Sequence, residues 1–577
     1  MTSSRFLCTA VAALAISGAG CSSVTGGATG TGGGPGTGGA PSEGGTTASG
    51  GAASSGGVTS SGGLPASGGA SSTGGVTSLG GLPATGGVSG GRSGSGGASA
   101  SGGVTSSGGL SATGGVSGGR SGSGGASGGA TSSGGQTATG GASGGRSGSG
   151  GSSVGGATGT GGATGPASGG STVTCAGTKT PGTAQSGDIT INPATTYQVV
   201  DGFGIADVWQ GKSTSSAEQR TLLWDPVNGI GMTLLRIGID ETGKIMGDAA
   251  FVDGPEVAKN GGKIWAAPWS PPAADKDNNN INNGGHLNTS AYDSWATTLA
   301  AFPAYFKQNA GVDLWGISAQ NEPDFTASYR SCLFDKTQMN NFIKVLGPKL
   351  QALSPPVHLL AAEPDTWGNT WGGDNYGTAI EGDATVSALV DIIATHDYGS
   401  NGATRPAPPA SMKHHLWETE ITYSSGAAIS AGIDIARGIY AAFSTGGASG
   451  WLYWWTQAFF DGGSTSSPPK RVYAMGNFSK FVRPGFVRVG ISGAPSSVQI
   501  VPFYNSDGTV AIVALNSGSS AVSASFFVSG SCWPTTVTPY VTSASSNLAS
   551  GTAVTVTAGR FSGSLAAQSI TTFVGKQ

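Results

Sequence analysis

Short apolar runs separated by longer amphipathic stretches dominate the chain after Cys175. Runs of about four to eight residues that alternate with helix-like segments are typical of strands in a parallel sheet. Because eight such units fill roughly 280 residues, they predict a closed (β/α)8 barrel rather than an open sheet. The runs are Gln198–Gly204, Thr233–Gly238, Lys263–Pro268, Leu314–Gln320, Val357–Ala361, Leu389–Thr395, His414–Thr419 and Gly450–Trp455.

From about Val482 the pattern changes to alternating apolar and polar residues with frequent turns. Segments such as Ser569–Val574 are typical of antiparallel strands in a small β-sandwich. We expect the earlier run Asp188–Ile191 to join this sandwich, because sheet edges require partners. The predicted domains are residues 173–194 as the first part of the sandwich, 195–481 as the barrel and 482–577 as the remaining sandwich.

Composition sets the first third of the chain apart. After Phe6 there is no aromatic residue up to Ser171, and glycine, serine, threonine and alanine predominate. Such a segment cannot bury enough apolar surface to offset its ordering entropy, so we expect residues 22–172 to form a disordered tether. Its imperfect repeat, seen at Ala84–Ser93, lacks the apolar positions that stacked solenoid repeats require.

Residues 1–21 have the pattern of an export signal, with Arg5 before an apolar run and small residues after it. The segment Ser17–Cys21 resembles a bacterial lipoprotein cleavage box, in which Cys21 would be lipidated. Gly18 stands where a branched residue is usual, so a lipid-anchored protein and a freely secreted one are both open. Either alternative places the protein outside the cytoplasm, in the medium or at the cell surface.

Charge argues against nucleic acid as a partner. The chain has 27 basic and 30 acidic residues, with a formal net charge of -3. Nucleic-acid binding would need clustered positive charge, which the sequence lacks. We expect a monomer without cofactor or metal.

Four cysteines remain after the leader, namely Cys21, Cys175, Cys332 and Cys532. Their wide spacing excludes a zinc-ligand pattern and a dense disulfide framework. A disulfide between Cys175 and Cys532 is one interpretation, because both would lie in the sandwich. Two buried free thiols are the alternative.

Two carboxylates follow separate predicted strands. Glu322 ends the fourth run, before Pro323, and Glu420 ends the seventh. Functional groups of a closed parallel barrel lie where strands end, so the two glutamates are expected to face each other across its mouth. Such a pair can protonate a leaving oxygen and meet a sugar carbon from the opposite face, which indicates a sugar-cleaving enzyme.

Seven short motifs, in their order along the chain, resemble glycoside hydrolase family 30 of clan A. The resemblance runs from about Ile189 to the C-terminus and is greatest for the bacterial xylanase and glucuronoxylanase subfamily 8. It implies a (β/α)8 barrel fused to a side β-sandwich, and retaining hydrolysis of β-linked glycans. The motifs are Asp201–Gly204, Leu235–Gly238, Pro268–Pro272, Gln320–Pro323, His396–Tyr398, Trp417–Glu420 and Phe478–Gly485.

The resemblance implies roles for individual residues. Glu322 would be the general acid/base, with a pKa raised so that it starts protonated. Asn321 would hydrogen-bond the sugar 2-hydroxyl, and Glu420 would be the nucleophile. Arg236 would keep Glu420 ionised through its positive charge.

Four further residues resemble the family's substrate-binding shell. Trp269 and Trp455 would stack on apolar sugar faces, while His396 and Tyr398 would hydrogen-bond hydroxyls or the nucleophile. For each aromatic residue, packing within the barrel is the alternative.

Glu418 departs from the family pattern, which has an apolar residue at this place. Because residues two apart on a strand share a face, we expect Glu418 to lie one layer deeper in the barrel than Glu420. A buried charge needs a partner, and Arg236 is the candidate. Glu418 is also the alternative nucleophile.

The loop after the eighth strand differs from that of glucuronate-dependent relatives, in which arginine binds the acid substituent. Residues Trp454–Asp461 contain no arginine, so bidentate capture of a carboxylate is lost, and Asp461 would repel the acid. We therefore expect an endo-β-1,4-xylanase that does not strictly require glucuronic acid. An endo-β-1,6-galactanase, a β-glucosidase and a non-catalytic glycan-binding protein stay open, because loops set specificity on such a scaffold.

Overall fold

The structure is a computed structural model that describes residues 173, 179–399, 405–423, 425–462 and 465–577. The predicted leader, the tether, Cys21 and Cys175 lie outside these residues. Within the described ranges, every helix is too short or too polar to cross a bilayer.

The described chain enters through a long strand, β1 (Asp188–Val199), and continues into eight parallel strands that close into a barrel. Neighbouring strands pair in chain order and the last pairs with the first, so the barrel has no open edge. The predicted barrel is confirmed, and each predicted run overlaps its strand. The barrel strands are β2 (Gly202–Ala206), β3 (Leu234–Ile239), β4 (Lys263–Pro268), β5 (Gly316–Ser318), β6 (His358–Ala362), β7 (Ile392–His396), β8 (His415–Glu420) and β9 (Gly450–Tyr453).

Helices follow the barrel strands and cover the outer face of the barrel. Ser216 caps the first helix by accepting the Gln219 N–H, and Asp335 caps the fourth by accepting the Gln338 N–H. The described helices are α1 (Ala217–Trp224), α2 (Ala250–Lys259), α3 (Tyr292–Ala310), α4 (Lys336–Gln351), α5 (Trp367–Trp371), α6 (Tyr376–Gly382), α7 (Ala384–Ser387), α8 (Ile429–Ser444), α9 (Thr456–Phe459) and α10 (Lys470–Ser479).

The remaining strands form the predicted β-sandwich, in one sheet of ten strands. Strand β1 pairs antiparallel with β10 and parallel with β13, which confirms that Asp188–Ile191 joins the sandwich. The strands after the barrel are β10 (Val487–Ser492), β11 (Gln499–Tyr504), β12 (Thr509–Asn516), β13 (Val522–Val528), β14 (Thr536–Thr542), β15 (Ala549–Ser550), β16 (Val554–Thr555), β17 (Arg560–Leu565) and β18 (Ser569–Lys576).

Cysteine chemistry differs between the two domains. Cys532, in the sandwich core, forms a disulfide bond, whereas Cys332 in the barrel is a buried free thiol. The expected partner Cys175 lies outside the described residues, so this pairing stays a prediction.

One layer of apolar side chains fills the barrel interior, and an ion pair lies below it at the N-terminal end of the strands. The Asp201 carboxylate lies 2.6 Å from His415 Nδ1 and accepts the Trp417 indole N–H at 2.7 Å. These contacts tie the start of β8 to the residue that precedes β2, next to the point where the barrel closes. The interior layer consists of Leu234, Trp265, Leu360, Ile392, Ala394, Trp417 and Leu452.

Stability should depend on pH through His415. Its hydrogen bond with Asp201 raises the pKa of His415 above the ordinary value, while burial acts in the opposite direction. The charged imidazole therefore stabilises the fold below the pKa of the unfolded chain, and this contribution is lost as pH rises through the folded pKa. We expect His415→Gln to lower the unfolding temperature more at about pH 5.5 than at about pH 9, as measured by calorimetry.

Asp201→Asn is the matched control, because it removes the charge partner and leaves His415 in place. The pH-dependent part of the stabilisation should disappear in this variant as well. Equal losses of stability at both pH values in His415→Gln would contradict the assignment.

Candidate active site

Two buried glutamates meet at the C-terminal ends of the barrel strands. Glu322 follows β5 and Glu420 ends β8. Single carboxylate oxygens of the two residues lie within 4.8 Å of one another, in a group that also includes His396. A gap this short favours retaining chemistry, at about 5 to 5.5 Å, over the roughly 6.5 to 9.5 Å of inverting enzymes.

The backbone turns sharply at Glu322. This residue has φ 45°, a left-handed backbone conformation that residues other than glycine rarely adopt. Its N–H donates to the Glu363 carbonyl at 3.0 Å, and the Asn321 N–H donates to the Pro268 carbonyl at 2.9 Å. Neighbouring strand ends therefore hold the turn, which brings the Glu322 carboxylate to 3.2 Å from His396 Nδ1.

Polar groups from two other strands hold the Glu420 carboxylate. Arg236 Nη1 donates to Oε2 at 2.6 Å, and the Tyr398 hydroxyl donates to Oε1 at 2.9 Å. His396 Nε2 lies 3.7 Å from Oε2. With both oxygens contacted, the carboxylate has a defined orientation within the cleft.

The Arg236 guanidinium links the groups of the site and is fully buried. Besides Glu420, it donates to Asn321 Oδ1 at 2.6 Å and to both oxygens of Glu363, at 3.1 and 3.3 Å. The Trp269 ring centre lies 5.0 Å away and shields it from solvent. One cation thus balances two carboxylates in a water-poor site.

Glu363 was not predicted as a site residue. It is fully buried, follows β6 and has φ 60°, which resembles the conformation of Glu322. A signal was present, since Glu363 and Pro364 repeat the Glu-Pro order of Glu322 and Pro323 just after a strand. The predicted fifth run ended at Ala361, two residues too early to draw attention to it.

Burial is the largest influence on Glu420. It raises the pKa of Glu420 to about 7, although the nearby Arg236 and the Tyr398 hydroxyl favour the ionised form. We expected Arg236 to keep Glu420 ionised. The contact is present and its charge acts in that direction, but desolvation outweighs it.

Burial and the neighbouring Arg236 lower the pKa of His396 despite the opposing effect of Glu420, and this lowered pKa favours the neutral ring. A guanidinium can only donate, so at 3.4 Å Arg236 Nη2 makes Nε2 of His396 the acceptor. The ring proton is then on Nδ1, from which it is donated to Glu322. His396 therefore links Glu322, to which it donates, with Arg236, which contacts Glu420.

Glu322, His396 and Glu420 also have the composition of a metal-ligand set. Arg236 lies against Glu420 and approaches His396, so a positive charge is already present at the place where a cation would bind. A metal ion bound to these three residues would lie close to the Arg236 guanidinium and would be repelled by its charge. The residues do not fit a metal centre.

The aromatic residues form one cluster above the site. Trp454 lies 6.0 Å from Arg236, whereas Trp455 is buried and donates its indole N–H to the Val208 carbonyl at 2.7 Å. The partly exposed Trp209 and Tyr329, 6.2 Å apart, extend the cluster outward. Sequence reasoning missed these two residues, because neither lies in a recognised motif, and sugar stacking by Trp269 and Trp455 stays a prediction.

The prediction that Glu418 lies below Glu420 on the same face was wrong. Trp417 belongs to the interior layer, so alternation places Glu418 on the outer face of the barrel. The β7–β8 register then passes from Thr395 opposite Glu418 to His396 opposite Glu420. The extra residue is a bulge, which returns Glu420 to the interior.

The predicted partner of Glu418 was also wrong. Arg236 contacts Glu420 and Glu363, whereas the cation next to Glu418 is Arg405, whose Nε lies 3.8 Å from Oε2. The expected repulsion by Asp461 needs correction too. Its carboxylate lies 2.7 Å from Arg471 Nη2, so its charge is balanced.

Comparisons with known proteins agree with this geometry. The family model described as glycosyl hydrolase family 30 TIM-barrel domain matches residues 254–431, and the beta sandwich domain model of that family matches 485–573. Glucuronoxylanase XynC of Bacillus subtilis is 31% identical over 405 residues, which cover 67% of this chain and 91% of that protein.

Solved structures give the same result. A GH30 endoxylanase from Clostridium papyrosolvens is 30% identical with a TM-score of 0.58, and the match covers 68% of this chain and 100% of that one. A GH30 subfamily 8 xylanase from Clostridium acetobutylicum is 29% identical with a TM-score of 0.60 and the same coverage. On this similarity across barrel and sandwich, the chain belongs to glycoside hydrolase family 30.

Proposed function

We propose that this glycoside hydrolase is an endo-β-1,4-xylanase that acts with retention of configuration. The observation that carries the mechanism is the buried pair of Glu322 and Glu420, with oxygens within 4.8 Å. Relatives named glucuronoxylanase and endoxylanase, at about 30% identity, support xylan as the substrate class.

In the first step, a carboxylate oxygen of Glu420 attacks the anomeric carbon while Glu322 transfers its proton to the leaving glycosidic oxygen. The Tyr398 hydroxyl and the Arg236 guanidinium orient the attacking group, since both contact it directly. The products of this step are a glycosyl ester on Glu420 and the released half of the glycan.

In the second step, Glu322 accepts a proton from water as that water attacks the anomeric carbon. The ester bond to Glu420 breaks, and the two inversions give overall retention. Arg236 holds the Asn321 amide through its oxygen, so we assign the Asn321 nitrogen as the donor to the sugar 2-hydroxyl.

We further propose that the enzyme does not require glucuronic acid on the xylan. Arg471, near the loop that follows β9, is buried and donates to Tyr453, Ala458, Gly426 and Asp461. Both Nη atoms therefore donate within the protein rather than toward a substrate acid. The described part of this loop has no other arginine before Lys470.

The direct test is a set of parallel digests analysed by mass spectrometry. We expect oligosaccharides from glucuronoxylan and from xylan without acid substituents, because the described part of the loop after β9 places no arginine where it could bind the acid. Unsubstituted β-glucan and β-1,6-galactan are the comparison substrates.

The outcomes separate the alternatives. An absolute requirement for glucuronic acid would overturn the argument from the loop. Products from galactan or β-glucan alone would overturn xylan as the substrate. A protein that binds xylan and releases no sugar would indicate a non-catalytic glycan-binding role.

Substitutions test the two roles. Glu420→Gln should lower kcat by about a thousandfold or more on every substrate, because no nucleophile remains. Glu322→Gln should retain much more activity on an aryl xyloside with a good leaving group, which needs no proton. Since Glu420 must be ionised to attack, kcat/KM should fall as pH decreases through about 7.

Glu418→Gln is the matched control, because it makes the same acid-to-amide change two residues away on the outer face. It should retain activity. An inactive Glu418→Gln together with an active Glu420→Gln would reverse the assignment of the nucleophile.

We also propose that the enzyme works outside the cytoplasm, supported by the export-signal pattern of residues 1–21. Expressed in a bacterium, the chain should be recovered without residues 1–20, and with Cys21 as its first residue if it is lipidated, as shown by mass spectrometry of the N-terminus. Cys21→Ser separates the two forms, since loss of membrane partitioning indicates a lipid anchor. Cytoplasmic protein that retains residues 1–21 would contradict export.

A further inference from the structure

Three buried ionisable side chains lie behind the catalytic pair, on the outer side of β7 and β8. Arg405, Asp397 and Glu418 are each at most 4% exposed. Arg405 is ion-paired with Asp397 through Nη2, and its Nε lies 3.8 Å from Glu418 Oε2. One guanidinium thus lies between carboxylates from two neighbouring strand ends, and the Trp367 ring lies 5.6 Å from it.

Along the sequence, the two carboxylates of this cluster lie next to residues of the active site. Asp397 stands between His396 and Tyr398, which approach or contact Glu420 from β7 and the residues after it. Glu418 precedes Glu420 by two residues on β8. A displacement of either carboxylate on the outer side would therefore move the groups that hold the nucleophile on the inner side.

The backbone pairing of β7 with β8 is irregular in this region. The β7–β8 register has an irregularity between Thr395 and His396, where one extra residue interrupts the ladder. Beyond the irregularity, the Asp397 N–H donates to the Glu420 carbonyl over a long 3.2 Å. The relative placement of the two strand ends needs further contacts.

We propose that Arg405 is a positioning residue, whose ion pair with Asp397 and contact with Glu418 hold the ends of β7 and β8 so that Tyr398 and His396 meet Glu420. This inference rests on the proposed role of Glu420 as nucleophile. Arg405 itself acts only through other residues, since its contacts are with the outer cluster.

The charges of the cluster predict that Glu418 tolerates replacement by an amide. Two carboxylates face one guanidinium in a buried space, and burial together with Asp397 raises the pKa of Glu418 well above its ordinary value. Protonation of Glu418 would relieve this excess of negative charge, so we expect an amide of the same size to replace it without loss of activity. Asp397, which contacts Arg405 directly, holds the negative charge.

The test compares Arg405→Lys with Arg471→Lys in the full chain. Both arginines are buried and ion-paired to an aspartate, but Arg471 pairs with Asp461, away from β7. Making the same change at both positions distinguishes the loss of stability expected for any buried arginine from a specific effect on Glu420. The unfolding temperature, kcat, KM and pH profile are measured for each variant.

We expect Arg405→Lys to lower kcat about tenfold with KM within about twofold, because the catalytic geometry changes more than glycan binding does. The acidic limb of kcat/KM should move to higher pH. Arg236 and the Tyr398 hydroxyl favour the charged form of Glu420 against Glu322 and burial, and misplacing Tyr398 weakens that support. Arg471→Lys should leave the acidic limb at its wild-type position.

A double-mutant cycle tests the route of the effect. Tyr398→Phe removes the hydroxyl that supports ionised Glu420 and should move the acidic limb upward by itself. If Arg405 acts through Tyr398, Arg405→Lys should cost less in the Tyr398→Phe background than in the wild type. Strict additivity of the two changes would overturn the proposed route.

An Arg405→Lys enzyme that unfolds at lower temperature but has the wild-type kcat and acidic limb would show a merely structural role. If Arg405→Lys does not fold, Asp397→Asn decides by the same criteria, because it removes the charge and keeps the side-chain size. Failure of the proposed function would appear differently, as a wild-type enzyme that leaves xylan intact. The positioning test would then use whichever glycan the wild type cleaves.

Discussion

The arrangement of the barrel mouth depends on the Arg236 guanidinium, which balances the negative charge of the buried carboxylates there. Glu420, Glu363 and Asn321 all accept hydrogen bonds from it, and all of these groups are buried. Isolated carboxylates in such surroundings would take up protons, because desolvation disfavours their charged form. A planar cation with five donors can serve two carboxylates and one amide at once, which a lysine could not do.

From this constraint follows the difference between the two glutamates of the cleft. Glu420 contacts Arg236 and Tyr398, which support an ionised carboxylate, whereas Glu322 faces the neutral ring of His396. Environments that differ in this way are what allow one carboxyl group to attack while the other donates a proton. The lowered pKa of His396 favours its uncharged form, whereas a second cation would favour ionisation of both glutamates.

The carboxylates of β8 point to opposite sides of one strand. Glu420 faces the cleft, while Glu418 faces the helices and belongs to a separate charge cluster with Arg405. A single bulged residue separates the two arrangements. Chemistry inside the barrel and charge balance outside it are thereby coupled through the backbone of the same strand.

The periodicity of apolar residues was sufficient to predict the eight barrel strands and the sandwich. Each strand must bury apolar side chains against a core, and this requirement fixes the spacing of apolar residues along that strand. The same reasoning placed Glu322 and Glu420 together, since the ends of parallel strands meet at one edge. The partner of Glu418 and the presence of Glu363 could not be obtained in this way. They depend on a bulge that shifts the alternation of one strand and on contacts between residues distant in sequence, such as Arg236 and Glu363. Which charges meet is decided by packing in three dimensions, and no spacing along the chain encodes it.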